Sequence, residues 1–250
     1  MIKFENTQVM NMDNAIRGMR NPLNSHDNSD SYWTHIEDPK TLETAKYEFF
    51  VGYHDLDLMK RLCQAGSDHR KFLRQIFVSV DITAPLYWWK EADTYKVGTV
   101  ANSESTMHTI HKKEFELSDF SFDDINFVVE EVEVELNGAP MAPIVTDLTE
   151  YYEDIVDKCE ALRKKYLETN DKKYWRALIQ ILPSSYNQMR TVTLNYEVLF
   201  NMYHSRKHHK LDEWSEGFTA WCRELPYFME LFNAAYPEYG VTEHSVQVEE

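Results

Sequence analysis

The sequence predicts an α+β fold, with helices packed on a modest sheet. Three observations carry this. A β-rich run, Ile76, Phe77, Val78, Val80 and Ile82, reads as a strand. Helical periodicity dominates from Asp147 onward. The 250 residues are 43% hydrophobic and 14% aromatic, enough for a sizeable core. With only 7 Gly and 8 Pro, no long linker or low-complexity segment is expected. No repeat or boundary divides the chain, so residues 1–250 read as a single domain.

The elements follow in order. Ile2 to Phe4 opens with a short strand, Asp13 to Met19 is a short helix, and Asn21 to Tyr32 is a loop of turn residues. Across His54 to Ala65, Leu56, Leu58, Met59, Leu62 and Cys63 recur at helical spacing, and Gly66 stops the helix. His69 to Arg74 is a short helical segment before the strand at Ile76. Pro85 then opens a helix through Leu86, Trp88, Trp89, Ala92 and Tyr95, since proline is tolerated in a first turn. In Phe120 to Leu136, Val129, Val132, Val134 and Leu136 are interleaved with Glu, the pattern of an exposed strand or strand edge. Asn137-Gly138, Pro140 and Pro143 mark a turn. Asp147 to Tyr166 is a long amphipathic helix, and Asp171 to Ile181 is another, ended by Pro183. Thr191 to Leu194 is a short strand. Asn195 to His208 is a helix with Val198, Leu199, Met202 and Tyr203 as its apolar side. Asp212 to Leu225 and Tyr227 to Tyr236 are the last helices.

Charge narrows the function classes. The formal net charge of -16 repels polyphosphate backbones, which argues against nonspecific DNA or RNA binding. A small anion remains compatible with a local basic pocket. The acid of Asp123 to Glu135 and Glu249-Glu250 reads as solvated surface. Cys63, Cys159 and Cys222 are odd in number and form no CxxC pair, so they are expected as buried reduced thiols. Met1 to Met10 has no signal-type apolar core, and no apolar run approaches the roughly 18 residues of a membrane span. The expectation is a soluble, cytoplasmic protein with no membrane partner.

Three segments hold candidate chemistry. Asp68-His69-Arg70-Lys71-Phe72-Leu73-Arg74 could hold an anion or form a solvated helix face. Trp88 to His111 contains two adjacent Trp, Tyr95, Lys96, a turn at Gly98 and the polar run Asn102-Ser103-Glu104-Ser105-Thr106. That run offers donors for a phosphate or heterocycle, or an ordinary helix cap. The third segment carries Asn195, Asn201, His204, Arg206, His208 and His209. Its His204/His208 pair, and His108 with His111, have metal-ligand spacing but no thiolate nearby, so no structural zinc is expected. There is no GxSxG, P-loop or GxGxxG motif.

Taken together, residues 69 to about 225 resemble the flavin-dependent thymidylate synthases. That family has a His before an apolar-basic stretch and a strand, here His69 and Ile76 to Val80. An Ala-Pro and an aromatic-rich helix follow, here Ala84-Pro85 and Leu86 to Tyr95. A later Leu-Pro, here Leu182-Pro183, precedes a strand and a helix bearing two Asn and an Arg, here Asn195, Asn201 and Arg206. The family's Arg-His-Arg signature is replaced by Thr94-Tyr95-Lys96. Its following Ser matches Ser105 with one residue inserted, and the Arg and Tyr after it become Met107 and His108. Glu91 stands for a Gln and Glu197 for an Arg. An expected Arg is Ile179, with Arg176 nearest.

The resemblance implies a flavin-dependent thymidylate synthase-like fold and a homotetramer. It also implies reductive methylation of dUMP or a related pyrimidine nucleotide, with FAD as cofactor and NADPH and methylenetetrahydrofolate as cosubstrates. On the matched positions it makes His69, Lys96, Asn195 and Asn201 cofactor-binding and Ser105 and Arg206 substrate-binding. The ligand is expected between His69, the segment Lys96 to Ser105 and the helix bearing Asn195, Asn201 and Arg206. No catalytic side chain is assigned, because such a scheme needs no protein nucleophile. Glu91 and Glu197 are expected to oppose an anion. The alternative is a non-catalytic member that keeps the fold to bind a nucleotide or a protein.

Overall fold

The computed structural model describes residues 2–36, 46–124, 128–132, 135–136, 139–140 and 144–239. The chain begins with β1 (Lys3–Met10), α1 (Met12–Arg20), β2 (Tyr32–Ile36), β3 (Lys46–Phe50) and α2 (Tyr53–Gln64). It continues through β4 (Phe77–Pro85), α3 (Leu86–Ala92), β5 (Val100–Ser103), α4 (Thr106–Thr109), β6 (Val128–Val132), β7 (Glu135–Leu136), β8 (Ala139–Pro140) and β9 (Ile144–Asp147). The last elements are α5 (Leu148–Thr169), α6 (Lys172–Ile181), β10 (Asn187–Asn195), α7 (Tyr196–Arg206), a π-helical turn (Glu213–Phe218), α8 (Thr219–Arg223) and α9 (Phe228–Ala235). Four strands form a sheet in the order β1-β4-β10-β5. The pairs β2–β3, β6–β9 and β7–β8 are antiparallel, and β6 carries a bulge between Val128 and Glu130. The predicted α+β class, helices on a modest sheet, is the observed one.

The described chain forms two compact units, interleaved in sequence. The first comprises Met1–Lys3, Ile82–Thr94 and Asn102–Arg190; the second comprises Phe4–Asp81, Tyr95–Ala101 and Thr191–Glu250. In the first unit, Ile110, Phe115, Phe120, Val156, Cys159 and Leu178 make a core against α5 and α6. Both helices start on an aspartate cap: the Asp147 carboxylate accepts from the Thr149 N–H at 2.8 Å, and Asp171 from Lys173 at 3.0 Å. Trp88 and Trp89 are both buried here. The Trp89 indole donates to the Gln188 carbonyl at 3.0 Å, and Arg190 stacks 4.1 Å above its ring.

The second unit is built around α7. Tyr196, Leu199 and Phe200 are fully enclosed, and Val198, Met202 and Tyr203 are buried beside them. The predicted one-sided apolar face is therefore too narrow, because aromatic residues of α9 pack on the same helix. Phe200 meets Phe228 at 5.0 Å, and Tyr203 meets Phe232 at 4.7 Å. A buried ion pair ties α1 to α2: Arg20 Nε donates to Asp55 at 2.6 Å. The second Asp55 oxygen accepts from the Ser29 and Ser31 hydroxyls and from the Asp30 and Ser31 amides.

Boundaries moved where polar residues form strands. β1 runs to Met10, well past the predicted Phe4, and β10 starts at Asn187 rather than Thr191. Hydropathy misses both extensions because their side chains are mostly polar. α3 stops at Ala92, short of Tyr95. The predicted helix from Asp212 is a π turn joined to a short α-helix. Val134 and Asn137-Gly138 lie outside the described residues. All three cysteines are buried and free of disulfides; burial pushes Cys63 up to about 12 and Cys159 up to about 11. Among the described residues, no helix is long and apolar enough to cross a membrane.

Candidate functional site

β10 feeds directly into α7, and Asn195 sits at the junction. It is buried, and its Oδ1 accepts from the Val198 N–H at 3.1 Å, capping the helix. The segment Tyr95–Ala101 packs along the same helix. Gly98 has φ +82°, and a Cβ there would lie 2.9 Å from Asn195 Nδ2 and 3.1 Å from Val198 Cγ2. Glycine is the residue this turn admits. Next to it, Thr99 Oγ1 is buried without a hydrogen-bond partner among the described residues. Lys96 is exposed and makes no ion pair with a described residue.

The far end of α7 carries Arg206. Its Nε donates to the Tyr95 hydroxyl at 3.0 Å. Its guanidinium lies 5.5 Å from the Tyr95 ring centre and 5.2 Å from that of Trp214. Trp214 is fully buried and belongs to the π turn. A π turn adds a residue to the helix and re-aims the side chains around it. One short segment thus touches the first turn of α7 through Gly98 and its last turn through Tyr95.

Between these ends lies a buried pair. Arg70 Nε and Nη2 each donate to Glu197 at 3.1 Å, and Nη2 also donates to the Tyr236 hydroxyl at 3.2 Å. The guanidinium faces the rings of Phe200 and Tyr236 at 5.9 and 5.3 Å. This corrects the expectation for Glu197. It does not present a bare charge against a ligand, because Arg70 neutralises it inside the unit.

His69, just before Arg70, is exposed, and its N–H donates to the Gly66 carbonyl. Asn201 is exposed on α7, and the His204 ring packs 4.7 Å from that of Tyr236. His69, Lys96, Asn195, Asn201 and Arg206 therefore all fall in the second unit, and Ser105 falls in the first. Ser105 is exposed at the start of α4, and its side chain makes no capping bond. Beside it, Gln188 Nε2 donates to the Glu104 carbonyl at 2.8 Å and the Thr106 hydroxyl at 3.1 Å, fixing the polar run. The structure joins Tyr95 to Arg206 and Gly98 to Asn195. Sequence reading missed the roles of Tyr95, Thr99 and Trp214; of these, only Tyr95, at the centre of the replaced signature, carried a signal. Among the described residues, no group of three or more His, Cys, Asp or Glu side chains could hold a metal ion.

No protein-family model and no curated protein matches the chain. Solved structures do. A flavin-dependent thymidylate synthase from Helicobacter pylori, complexed with FAD and dUMP, aligns over 94% of this chain and 98% of its own, with TM-score 0.59 and 19% identity. A UMP/dUMP methylase, PolB, from Streptomyces cacaoi, bound with 5-Br dUMP, aligns over 94% of both chains, with TM-score 0.56 and 15% identity. The chain therefore has a flavin-dependent thymidylate synthase-like fold, and the resemblance read from its sequence holds at the level of fold.

Proposed function

We propose that the chain is a thymidylate synthase-like flavoprotein that methylates the base of dUMP or a related pyrimidine nucleotide. The observation that carries this is the match over 94% of the chain to proteins solved with FAD and dUMP, or with a brominated dUMP. The local chemistry agrees. The segment beside α7 supplies a cation at Lys96, a buried hydroxyl at Thr99 with no described partner, and an amide at Asn195 whose oxygen alone is used by the cap. This donor set fits the phosphate and ring oxygens of a flavin nucleotide. His69, Lys96, Asn195 and Asn201 would hold FAD, and Ser105 and Arg206 the nucleotide. Bound flavin supplies hydride, NADPH renews it, and methylenetetrahydrofolate provides the carbon. Two rings and a hydroxyl orient the Arg206 guanidinium. On this proposal residues 1–250 work as one domain, assembled as a homotetramer in the cytoplasm.

A second reading, a non-catalytic member that binds a nucleotide or a protein, is favoured by one observation. Arg70 is a cation near the expected ligand, yet it is committed to Glu197 and buried. The two readings separate on flavin. The purified protein should be yellow, and FAD fluorescence should be quenched on titration. Arg206→Ala should weaken dUMP binding at least about tenfold, whereas Lys96→Arg should be tolerated. Absence of FAD binding at high micromolar concentration would leave the non-catalytic reading.

A further inference from the structure

The second unit contains a cavity of about 950 Å3 lined by none of the candidate site residues. Its walls come from the end of β1 and the start of α1, the strands β2 and β3, and the segment from Trp221 to Glu230. Six aromatic side chains line it: Trp33, Tyr47, Phe49, Phe50, Trp221 and Tyr227. Several are held in place. Trp221 stacks on Phe4 at 4.7 Å and donates its indole N–H to Thr7 at 3.0 Å. Trp33 meets Phe49 at 5.2 Å, and the Tyr227 hydroxyl accepts from the Val51 N–H at 3.3 Å. Tyr227 has φ +58°, and every other described non-glycine residue with positive φ is an asparagine. A tyrosine persists in that region only where its surroundings enforce it.

Among the described residues, the charged lining has one sign: Asp13, Glu48, Glu224 and Glu230 border the cavity, and no described Lys, Arg or His does. None of the four forms an ion pair with a described residue. Aromatic faces attract cations through the ring quadrupole, and nearby carboxylates add to that attraction. The same carboxylates repel nucleotides. The volume falls within the range of about 300–1,000 Å3 usual for small-molecule sites.

We propose that this cavity binds a small organic cation with an apolar body, a quaternary or protonated amine whose charge meets the carboxylates and whose body lies against the rings.

The test is calorimetric titration of the full chain with benzyltrimethylammonium and with neopentylbenzene, its neutral carbon isostere. The cation should bind saturably and at least about tenfold more tightly than the isostere. The double variant Glu48→Gln/Glu230→Gln should weaken the cation about tenfold and leave the isostere unchanged. Trp33→Ala should weaken both. Excess dUMP should not compete, which separates this site from the proposed nucleotide site. The proposal is overturned if the cation fails to bind at millimolar concentration, or if the isostere binds equally well. It is also overturned if the glutamine pair has no effect, or if an oligolysine peptide binds while the small cation does not.

Discussion

Replacing Glu197 by Gln should unfold this protein more readily than almost any other single change outside its aromatic core. The Glu197 and Arg70 side chains are both largely buried and joined by two 3.1 Å hydrogen bonds. Removing one charge leaves the other buried and uncompensated, which costs about 3–5 kcal/mol. Arg70 would retain the Tyr236 hydroxyl at 3.2 Å and two ring faces. That residual support places the cost near the lower end, about 3 kcal/mol. For a chain of this size each kcal/mol lowers Tm by about 2–4 °C, so a fall of about 6–12 °C follows. Glu197→Arg, which restores the family residue, should be worse, because it sets two guanidiniums against each other without gaining an anion site. Urea unfolding followed by circular dichroism measures the loss. The double change Arg70→Met/Glu197→Leu should recover most of it, since replacing both partners removes both desolvation costs. A Glu197→Gln loss below about 1 kcal/mol, the usual worth of an exposed pair, would refute the argument.

Acid should weaken the fold through the turns before α2. Burial pushes the Asp55 and Asp30 carboxyls upward, but hydrogen bonds outweigh it. Ser31, Ser29 and Arg20 hold Asp55 below its ordinary value, and His54 and the Asp55 amide lower Asp30 to about 2. The unfolded chain then binds these protons first, so their stabilisation is present above about pH 4 and lost as pH falls through the lowered values, about 2 for Asp30. Urea midpoints measured across that window should decline, and Asp30→Asn should flatten the decline. Gly98→Ala should cost about 1–3 kcal/mol through its positive φ and the contact with Asn195, read as a lower urea midpoint. Light scattering at micromolar concentration should give a homotetramer; a clean monomer would count against the proposed assembly.

What was legible in the sequence was local. The helices α2, α5 and α6 announced themselves by apolar spacing, and Asp147 and Asp171 stand one residue before their helices as caps. Buried cysteines followed from their number and separation. Polar strand ends did not show, because a strand whose side chains meet solvent or other polar groups carries no alternation to detect. Long-range pairing was equally hidden. Glu197 looked like a bare charge because its partner lies 127 residues away. The Arg20–Asp55 pair joins residues 35 positions apart, a separation that no local pattern shows. Sequence alone makes Lys96 to Ser105 one binding stretch. Its first part belongs with α7 and its last part with the other unit, a division set by packing rather than by composition.

The replaced signature and the retained Arg206 are linked through Tyr95. The family resemblance expects His at that position, and here a tyrosine takes it, with its hydroxyl on Arg206 Nε at 3.0 Å and its ring beside the guanidinium. The replacement therefore removes one basic group while fixing the orientation of another. Tyr95→Phe keeps the ring and deletes the acceptor. A hydrogen bond to a charged donor is worth about 1.5–3 kcal/mol when buried, and this one is partly buried, so about 1–2 kcal/mol of orienting free energy should be lost. Nucleotide affinity should fall by about fivefold to thirtyfold. A purely structural loss would lower the urea midpoint without depending on Arg206. A double-mutant cycle with Arg206→Ala separates the cases. If Tyr95 acts through Arg206, Tyr95→Phe changes dUMP affinity in the wild-type background and not in the Arg206→Ala background. Equal effects in both backgrounds would mean that Tyr95 does not position the guanidinium for the ligand.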